Sequence, residues 1–150
     1  MAAPSVSHEK NSMNAVDTNV LVYAFDADEP VKRDKARDLI AMLVQAGNSV
    51  LLWQVAGEFV AAMRKWESKG RVSADDVKSY AKEMLAYFPV ALPPPSVILR
   101  SFDLTAQFSL SHWDSLLVAA AIEAGVDTLY TEDLQSGAAS ETVIVVNPFA

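Results

Sequence analysis

An acidic residue inside an apolar stretch near the start of this chain constrains its fold more than any other feature. Residues 15–23 read AVDTNVLVY, which predicts a buried β-strand because valine is frequent and apolar residues lie on both sides of Asp17. An ionised carboxylate buried in such a strand costs several kcal/mol unless it is paired or binds a metal. The nearest lysines in the sequence are Lys10 and Lys32. Either a distant basic side chain must therefore reach Asp17, or other acids must join it around a cation.

Length and periodicity predict a single α/β domain. With 150 residues, 51% of them apolar, the chain can bury a sizeable core. Helical patterns alternate with short apolar runs, and this alternation predicts a mostly parallel sheet with helices on both faces. The predicted helices cover about 30–47, 54–70, 73–87, 96–108 and 111–125, and the remaining predicted strands cover 49–53, 88–92, 127–130 and 142–146. We expect the tryptophans and methionines to belong to the core.

Composition limits the location and the partners of the protein. The chain has no cysteine, which fits a reducing cytoplasm, and no run of about 18 apolar residues that would predict a membrane span. Residues 1–12 lack the apolar segment of a secretory signal, so we predict a disordered extension there and one domain over 13–150. The net charge is −7, which argues against a general nucleic-acid binder.

The basic residues are concentrated, however, and their placement changes that interpretation. Eight of the twelve lie in the runs 32–37 and 64–71. Both runs follow elements that supply candidate acids, so they could flank a site and hold phosphates. The residues that we expect to contact the substrate are Lys32, Arg33, Arg64 and Lys65. The alternative is that both runs are ordinary solvated helix faces.

Three further acids lie where surface acids are not expected. Glu58 borders the apolar stripe of the second predicted helix, Asp114 lies in the first turn of the fifth, and Asp133 directly follows a predicted strand. Sites in open α/β sheets form outside the carboxyl ends of the strands, where Asp17 and Asp133 can both point. Four carboxylates converging there would suit Mg²⁺ or Mn²⁺, which prefer oxygen ligands.

Each of these acids also has an ordinary structural explanation. Asp114 is the last residue of a Ser-x-x-Asp capping box, Glu58 could extend to solvent from the edge of its stripe, and Asp133 could belong to a turn. Thr18 and Asn19 either orient Asp17 or simply end its strand. The case for a site therefore depends on the four acids occurring together.

Five stretches in order carry a resemblance to a known family. They are AVDTNVLVYAFD (15–26), QVAGEF (54–59), SHWDSLLVAAA (111–121), YTEDLQSG (130–137) and VVNPF (145–149). Over residues 14–149 the chain resembles the PIN-domain proteins, specifically the VapC-type toxin ribonucleases of type II toxin–antitoxin systems. The resemblance implies a three-layer α/β/α sandwich with a mostly parallel central sheet. It also implies a Mg²⁺- or Mn²⁺-dependent endoribonuclease that is cytoplasmic, forms a homodimer and is neutralised by a cognate antitoxin protein.

The resemblance also assigns the residues of the implied site. Asp17, Glu58, Asp114 and Asp133 match the metal-binding and catalytic acids. Thr131 matches a hydroxyl residue at the border of the site, which Thr18 and Asn19 are expected to share.

Other functions remain open at this stage. An aspartyl-phosphate phosphatase would need a second acid two residues after Asp17, where Asn19 stands, and a phospho-receiver domain would need a late lysine, but none follows Lys82. A catalytically silent PIN-like module that binds RNA or protein is the strongest alternative.

Overall fold

The computed structural model describes residues 12–134, 137–140 and 142–150, which form alternating helices and short strands. In chain order the elements are β1 (Asn14–Val16), α1 (Thr18–Tyr23), α2 (Pro30–Ala46), β2 (Leu51–Leu52), α3 (Trp53–Ser68), α4 (Ala74–Tyr87), β3 (Val90–Ala91), α5 (Ser96–Phe108), α6 (His112–Glu123), β4 (Thr128–Tyr130), β5 (Gly137–Ala138) and β6 (Ile144–Val146). The helices match their predicted ranges closely, whereas the strands are shorter than predicted. The predicted extension over residues 1–12 lies outside the described residues, apart from Ser12.

The first predicted strand is wrong beyond Val16, because helix α1 replaces its second half. Asp17 has an extended backbone (φ −80°, ψ 168°), and its carboxylate accepts the N–H of Thr18 as the N-cap of α1. Val20, Leu21 and Ala24 are buried, a spacing that one face of a helix gives. Helix α1 packs against α3, so tertiary packing overrides the strand preference of its valines.

The sheet is mostly parallel, as predicted, and it aligns the ends of β1 and β4. Strands β1, β4 and β6 are parallel neighbours, and β5, which the sequence did not predict, pairs antiparallel with β6 at the edge. The parallel pair of β2 and β3 connects to β1 through a bridge between Asn14 and Ser49. The predicted three-layer α/β/α architecture is confirmed.

Helix α4 begins with a cap, and the helices and strands enclose a buried core. A capping box precedes α4: Ser73 Oγ accepts the N–H of Asp76 at 3.0 Å, and the Asp76 carboxylate accepts the N–H of Ser73 at 2.9 Å. The largest fully buried side chains include Phe59, Met63 and Leu129. Within the described residues, none of the helices has the length and apolar character needed to cross a membrane.

Candidate active site

Strand register brings Asp17 and Thr131 together at the carboxyl ends of two paired strands. Val16 at the end of β1 is opposite Tyr130 at the end of β4, and the N–H of Asp17 donates to the Tyr130 carbonyl at 2.8 Å. The next residue after each strand therefore lies at the same edge of the sheet. Thr131 Oγ1 donates to Asp17 Oδ2 at 2.8 Å, in a fully buried contact.

The Thr131 hydroxyl links Asp17 to the loop that carries Asp133. Its oxygen accepts the side-chain amide of Asn19 and the N–H of Asp133, both at 3.1 Å. Asn19 Oδ1 in turn accepts the N–H of Glu132 at 3.2 Å. Thr131 thus orients Asp17 directly. Asn19, for which the orientation of Asp17 was one of two interpretations, bonds to Thr131 and to the backbone of Glu132 and not to Asp17 itself.

The environment of Asp17 disfavours its negative charge. Burial raises the pKa of Asp17 from 3.8 to about 6, although the hydrogen bonds from Thr131 and from the backbone of Thr18 act in the opposite direction. The negative charges of Glu58 and Asp133 raise this pKa further, which places both acids close enough to act on Asp17. Three of the four predicted acids therefore share one electrostatic environment.

Helix α3 supplies Glu58 to the same crevice. Glu58 Oε2 accepts the hydroxyl of Thr18 at 3.0 Å, and Oε1 accepts the side-chain amide of Gln54 at 2.9 Å. A crevice of about 520 Å³ is lined by Thr18, Asn19, Val22, Tyr23, Glu58, Ala61, Ala62, Lys65 and Asp133. Gln54 was not predicted as a site residue, but its position four residues before Glu58 on one helix face could have indicated it.

Asp114 lies beside this cluster but has no direct contact with the other three acids among the described hydrogen bonds. Its N–H donates to Ser111 Oγ at 3.2 Å, so half of the predicted capping box is present. Gln54 Nε2 joins the two helices, because it donates to Glu58 and also to the Trp113 carbonyl at 3.2 Å. The bridge thus connects Glu58 to the backbone of the residue before Asp114, while the half-buried Asp114 does not itself line the crevice.

The donor set suits a hard divalent cation. In the part of the chain that the structure describes, no lysine or arginine forms an ion pair with Asp17, Glu58 or Asp133. The same residues include no group of three or more acids and histidines already placed to hold a metal ion together. Glu58 and Asp133 are exposed, so their carboxylates are accessible to a cation from solvent.

Comparison with known proteins identifies the fold family. The family model of the PIN domain matches residues 15–137, most of the chain. The chain belongs to the PIN domain family. No protein of curated function matches it.

Solved structures similar to this PIN domain include a toxin–antitoxin complex, a VapBC complex and a VapC toxin. A toxin–antitoxin complex from Klebsiella pneumoniae is 19% identical, with 90% of this chain and 97% of that chain covered and a TM-score of 0.63. VapBC2 from Rickettsia felis, solved with a DNA fragment from its promoter, is 18% identical (79% and 86% covered, TM-score 0.62). Mycobacterium tuberculosis VapC20, described as a sarcin-ricin loop cleaving toxin, is 14% identical (80% and 89% covered, TM-score 0.61). At these identities the likeness establishes a shared fold.

The four basic residues predicted to bind substrate have different surroundings in this PIN domain. Lys65 lines the crevice, two helical turns after Glu58 on the same face of α3. The neighbouring Arg64 is exposed and does not line it, and Arg33 lies 3.8 Å from the Asp34 carboxylate. Of these residues, Lys65 has the position that best fits a contact with phosphate.

Lys32 forms contacts with the loop that carries Asp133. Its ammonium donates to Glu132 Oε2 at 2.6 Å and to the Tyr23 hydroxyl at 3.2 Å, while that hydroxyl donates to Glu132 Oε1 at 2.7 Å. Burial would raise the pKa of Glu132, but the hydrogen bonds from Lys32 and Tyr23 outweigh it and hold this pKa below its usual value. Lys32 therefore braces the residue before Asp133, a role that the sequence did not predict.

Two of the tryptophans expected in the core are exposed instead. Trp53 is 55% exposed and Trp113 is 64% exposed. Trp53 is the first residue of α3, and Trp113 is the second residue of α6. Side chains in the first turn of a helix can extend beyond the face that packs against the core. Apolar character alone could not distinguish them from core residues.

Proposed function

We propose that this PIN domain is a metal-dependent endoribonuclease that acts as the toxin of a toxin–antitoxin system. The observation that carries the proposal is the buried Asp17, which faces Glu58 and Asp133 and has no basic partner among the described ion pairs. A cation from solvent would balance the negative charge of these acids. The same cation would balance the negative charge of a phosphodiester substrate. Membership of the PIN family and the toxin–antitoxin structures of similar fold support this assignment.

Mg²⁺ or Mn²⁺ is the proposed cofactor, and Asp17, Glu58, Asp114 and Asp133 are the residues that would hold it. When bound, the cation would supply Lewis acidity toward the phosphodiester. The protein's own contribution is orientation: Thr131 and the N–H of Thr18 fix both oxygens of Asp17. The Thr18 hydroxyl and Gln54 do the same for Glu58, and these contacts reduce the entropy lost when the site forms.

A cognate antitoxin and a second copy of the chain are the proposed protein partners, and the cytoplasm the proposed location. The toxin–antitoxin structures of similar fold support an antitoxin. Helix α5 presents Ile98, Leu99 and Phe102, each more than half exposed, and such apolar side chains support a contact with another chain. We propose that the antitoxin neutralises the nuclease and that the active toxin is a homodimer.

One observation favours a second function, a catalytically silent PIN domain that binds RNA or protein. Among the described residues the acids are not already assembled for a metal ion. A domain that never binds metal would keep this arrangement and would bear the electrostatic cost of Asp17 without any compensation. The two functions differ in their effect on a cell that lacks the antitoxin.

Growth of a bacterial host therefore tests the proposed function. Induced expression of the full chain should arrest growth, and expression of Glu58→Gln at the same level should not, because the variant removes one negative charge and keeps the side-chain size. Asp103→Asn, an exposed acid on α5, provides the matched control and should arrest growth like the wild type. If cells that express the wild type grow as well as cells that express Glu58→Gln, the result would support the catalytically silent PIN domain.

A substitution at Lys65 tests substrate binding. We expect Lys65→Ala to weaken RNA binding and to reduce the slope of log K against log salt by about 1, because one phosphate contact is lost. Lys32→Ala should change the slope less, since its charge is already paired with Glu132. Binding isotherms at several salt concentrations give both slopes. A larger effect at Lys32 than at Lys65 would mean that the ion pair opens to contact RNA.

A further inference from the structure

A second cleft adjoins the carboxylate crevice and has aromatic walls. It has a volume of about 420 Å³ and is lined by Trp53, Gln54, Gly57, Glu58 and Trp113. Both indoles are more than half exposed, although side chains of this size and apolarity are usually well buried. Glu58 borders this cleft and the crevice alike, so the two are continuous.

The cleft is held in shape by contacts that leave its interior free. Gln54 Nε2 donates to the Trp113 carbonyl and so ties the start of α6 to α3. The His112 ring packs edge-on against the Trp113 indole, with centroids 4.7 Å apart and planes at 70°. A Cβ added at Gly57 would meet nothing within 4 Å, so the glycine on this wall leaves open space.

We infer that this cleft binds an unstacked nucleobase of the RNA, next to the phosphate at the carboxylates. The inference rests on the proposed function for the identity of the substrate as RNA. None of the residues that line the cleft is basic, so it offers no group to hold a phosphate, whereas a base is uncharged and offers a flat π-face to an exposed indole. With a volume of about 420 Å³, the cleft has room for a group of the size of a base.

This placement makes the cleft a specificity element. A base can enter it only when the base is unpaired and unstacked, as in loops and single strands. Double-stranded RNA would reach the acids with its phosphates but could not fill the cleft. The protein should therefore bind single-stranded RNA in preference to a duplex of the same sequence, and the preference should depend on both tryptophans.

Titration of RNA with cleft variants tests the inference. Each variant is made in an Asp17→Asn background, in which we expect cleavage to be slower by about 100-fold or more. It is titrated with a single strand of about eight nucleotides and with its duplex, by fluorescence anisotropy. Trp53→Ala and Trp113→Ala should each raise the Kd for the single strand about 5- to 100-fold and change the duplex Kd little. Gly57→Leu should have the same selective effect by filling the cleft, while Gly57→Ala should not.

The controls separate a binding role from a structural one. Trp66, whose ring lies 4.2 Å from the Arg71 guanidinium, is outside the cleft, so Trp66→Phe should bind like the parent. Unchanged single-strand affinity in both alanine variants and in Gly57→Leu, or equal losses for single strand and duplex, would overturn the inference. If tryptophan-dependent binding is present but the metal-loaded wild type cleaves no RNA, the proposed function fails and the cleft assignment stands.

Discussion

Replacing Asp17 with Asn is expected to lower the rate of RNA cleavage by about 100-fold or more. Loss of groups that merely orient metal ligands costs about 10- to 100-fold, and removal of a ligand itself should cost at least the upper end of that range. Single-turnover cleavage of one labelled RNA by purified wild type and variant, at equal Mg²⁺, measures the effect. Asp103→Asn, with the same change of charge on an exposed acid, should cleave like the wild type.

The Thr131 network makes a second variant necessary. In Asp17→Asn, an amide nitrogen in place of Oδ2 would be a third donor directed at a hydroxyl that already accepts from Asn19 and Asp133. Asp17→Asn could then lose activity through displacement of the loop. Glu58→Gln is free of this problem, because Glu58 is exposed and is bonded only by side chains. Wild-type rates in both variants would show that these carboxylates have no role in catalysis.

The stability of the metal-free protein is expected to fall between about pH 4 and pH 7. The pKa of Asp17 rises from 3.8 in the unfolded reference to about 6 in the folded protein, so the folded state binds the proton more tightly. Stability from this group is therefore present at acid pH and is lost as pH rises through the folded pKa. A difference of about two pH units corresponds to about 3 kcal/mol of unfolding free energy.

Comparison with Asp17→Asn isolates this effect from the other titrating groups. In excess chelator, the unfolding free energy of the wild type should decrease by about 2 kcal/mol relative to the variant between pH 4 and pH 7, because the rest of the effect lies below pH 4. Loss of the Thr131 hydrogen bond in the variant also changes its unfolding free energy. This change is the same at every pH, so it displaces the variant's curve of unfolding free energy against pH without altering its slope. At pH 7, Mg²⁺ should stabilise the wild type more than the variant, because it binds the folded state. Parallel pH curves would mean that Asp17 is not held in a destabilising environment.

The burial of Asp17 could be predicted from the sequence, whereas the element that follows it could not. Asp17 was singled out because a buried carboxylate needs a physical reason, and it is buried in the structure although a helix and not a strand follows it. The strand predicted beyond Val16 is wrong because valines favour strands in isolation, whereas packing of α1 against α3 decides the structure. The roles of the four acids remain predictions, and the structure brings three of them together.

Contacts between residues distant in the sequence account for what was missed. The pairing of Lys32 with Glu132 joins residues 100 positions apart, and the sharing of one cleft by Trp53 and Trp113 depends on how α3 and α6 meet. No local pattern contains this information. Gln54 is different, because its spacing of four residues from Glu58 was available in the sequence and was not used.

RNA cleavage by the purified wild-type chain, measured with and without divalent metal, tests the central claim most directly. The claim is that Asp17, Glu58, Asp114 and Asp133 form a metal-dependent nuclease site. We expect cleavage in Mg²⁺ or Mn²⁺, none in excess EDTA, and full recovery when Mn²⁺ is added beyond the chelator. Cleavage that persists undiminished in EDTA, or no cleavage of total RNA under any metal condition by folded protein, would contradict it.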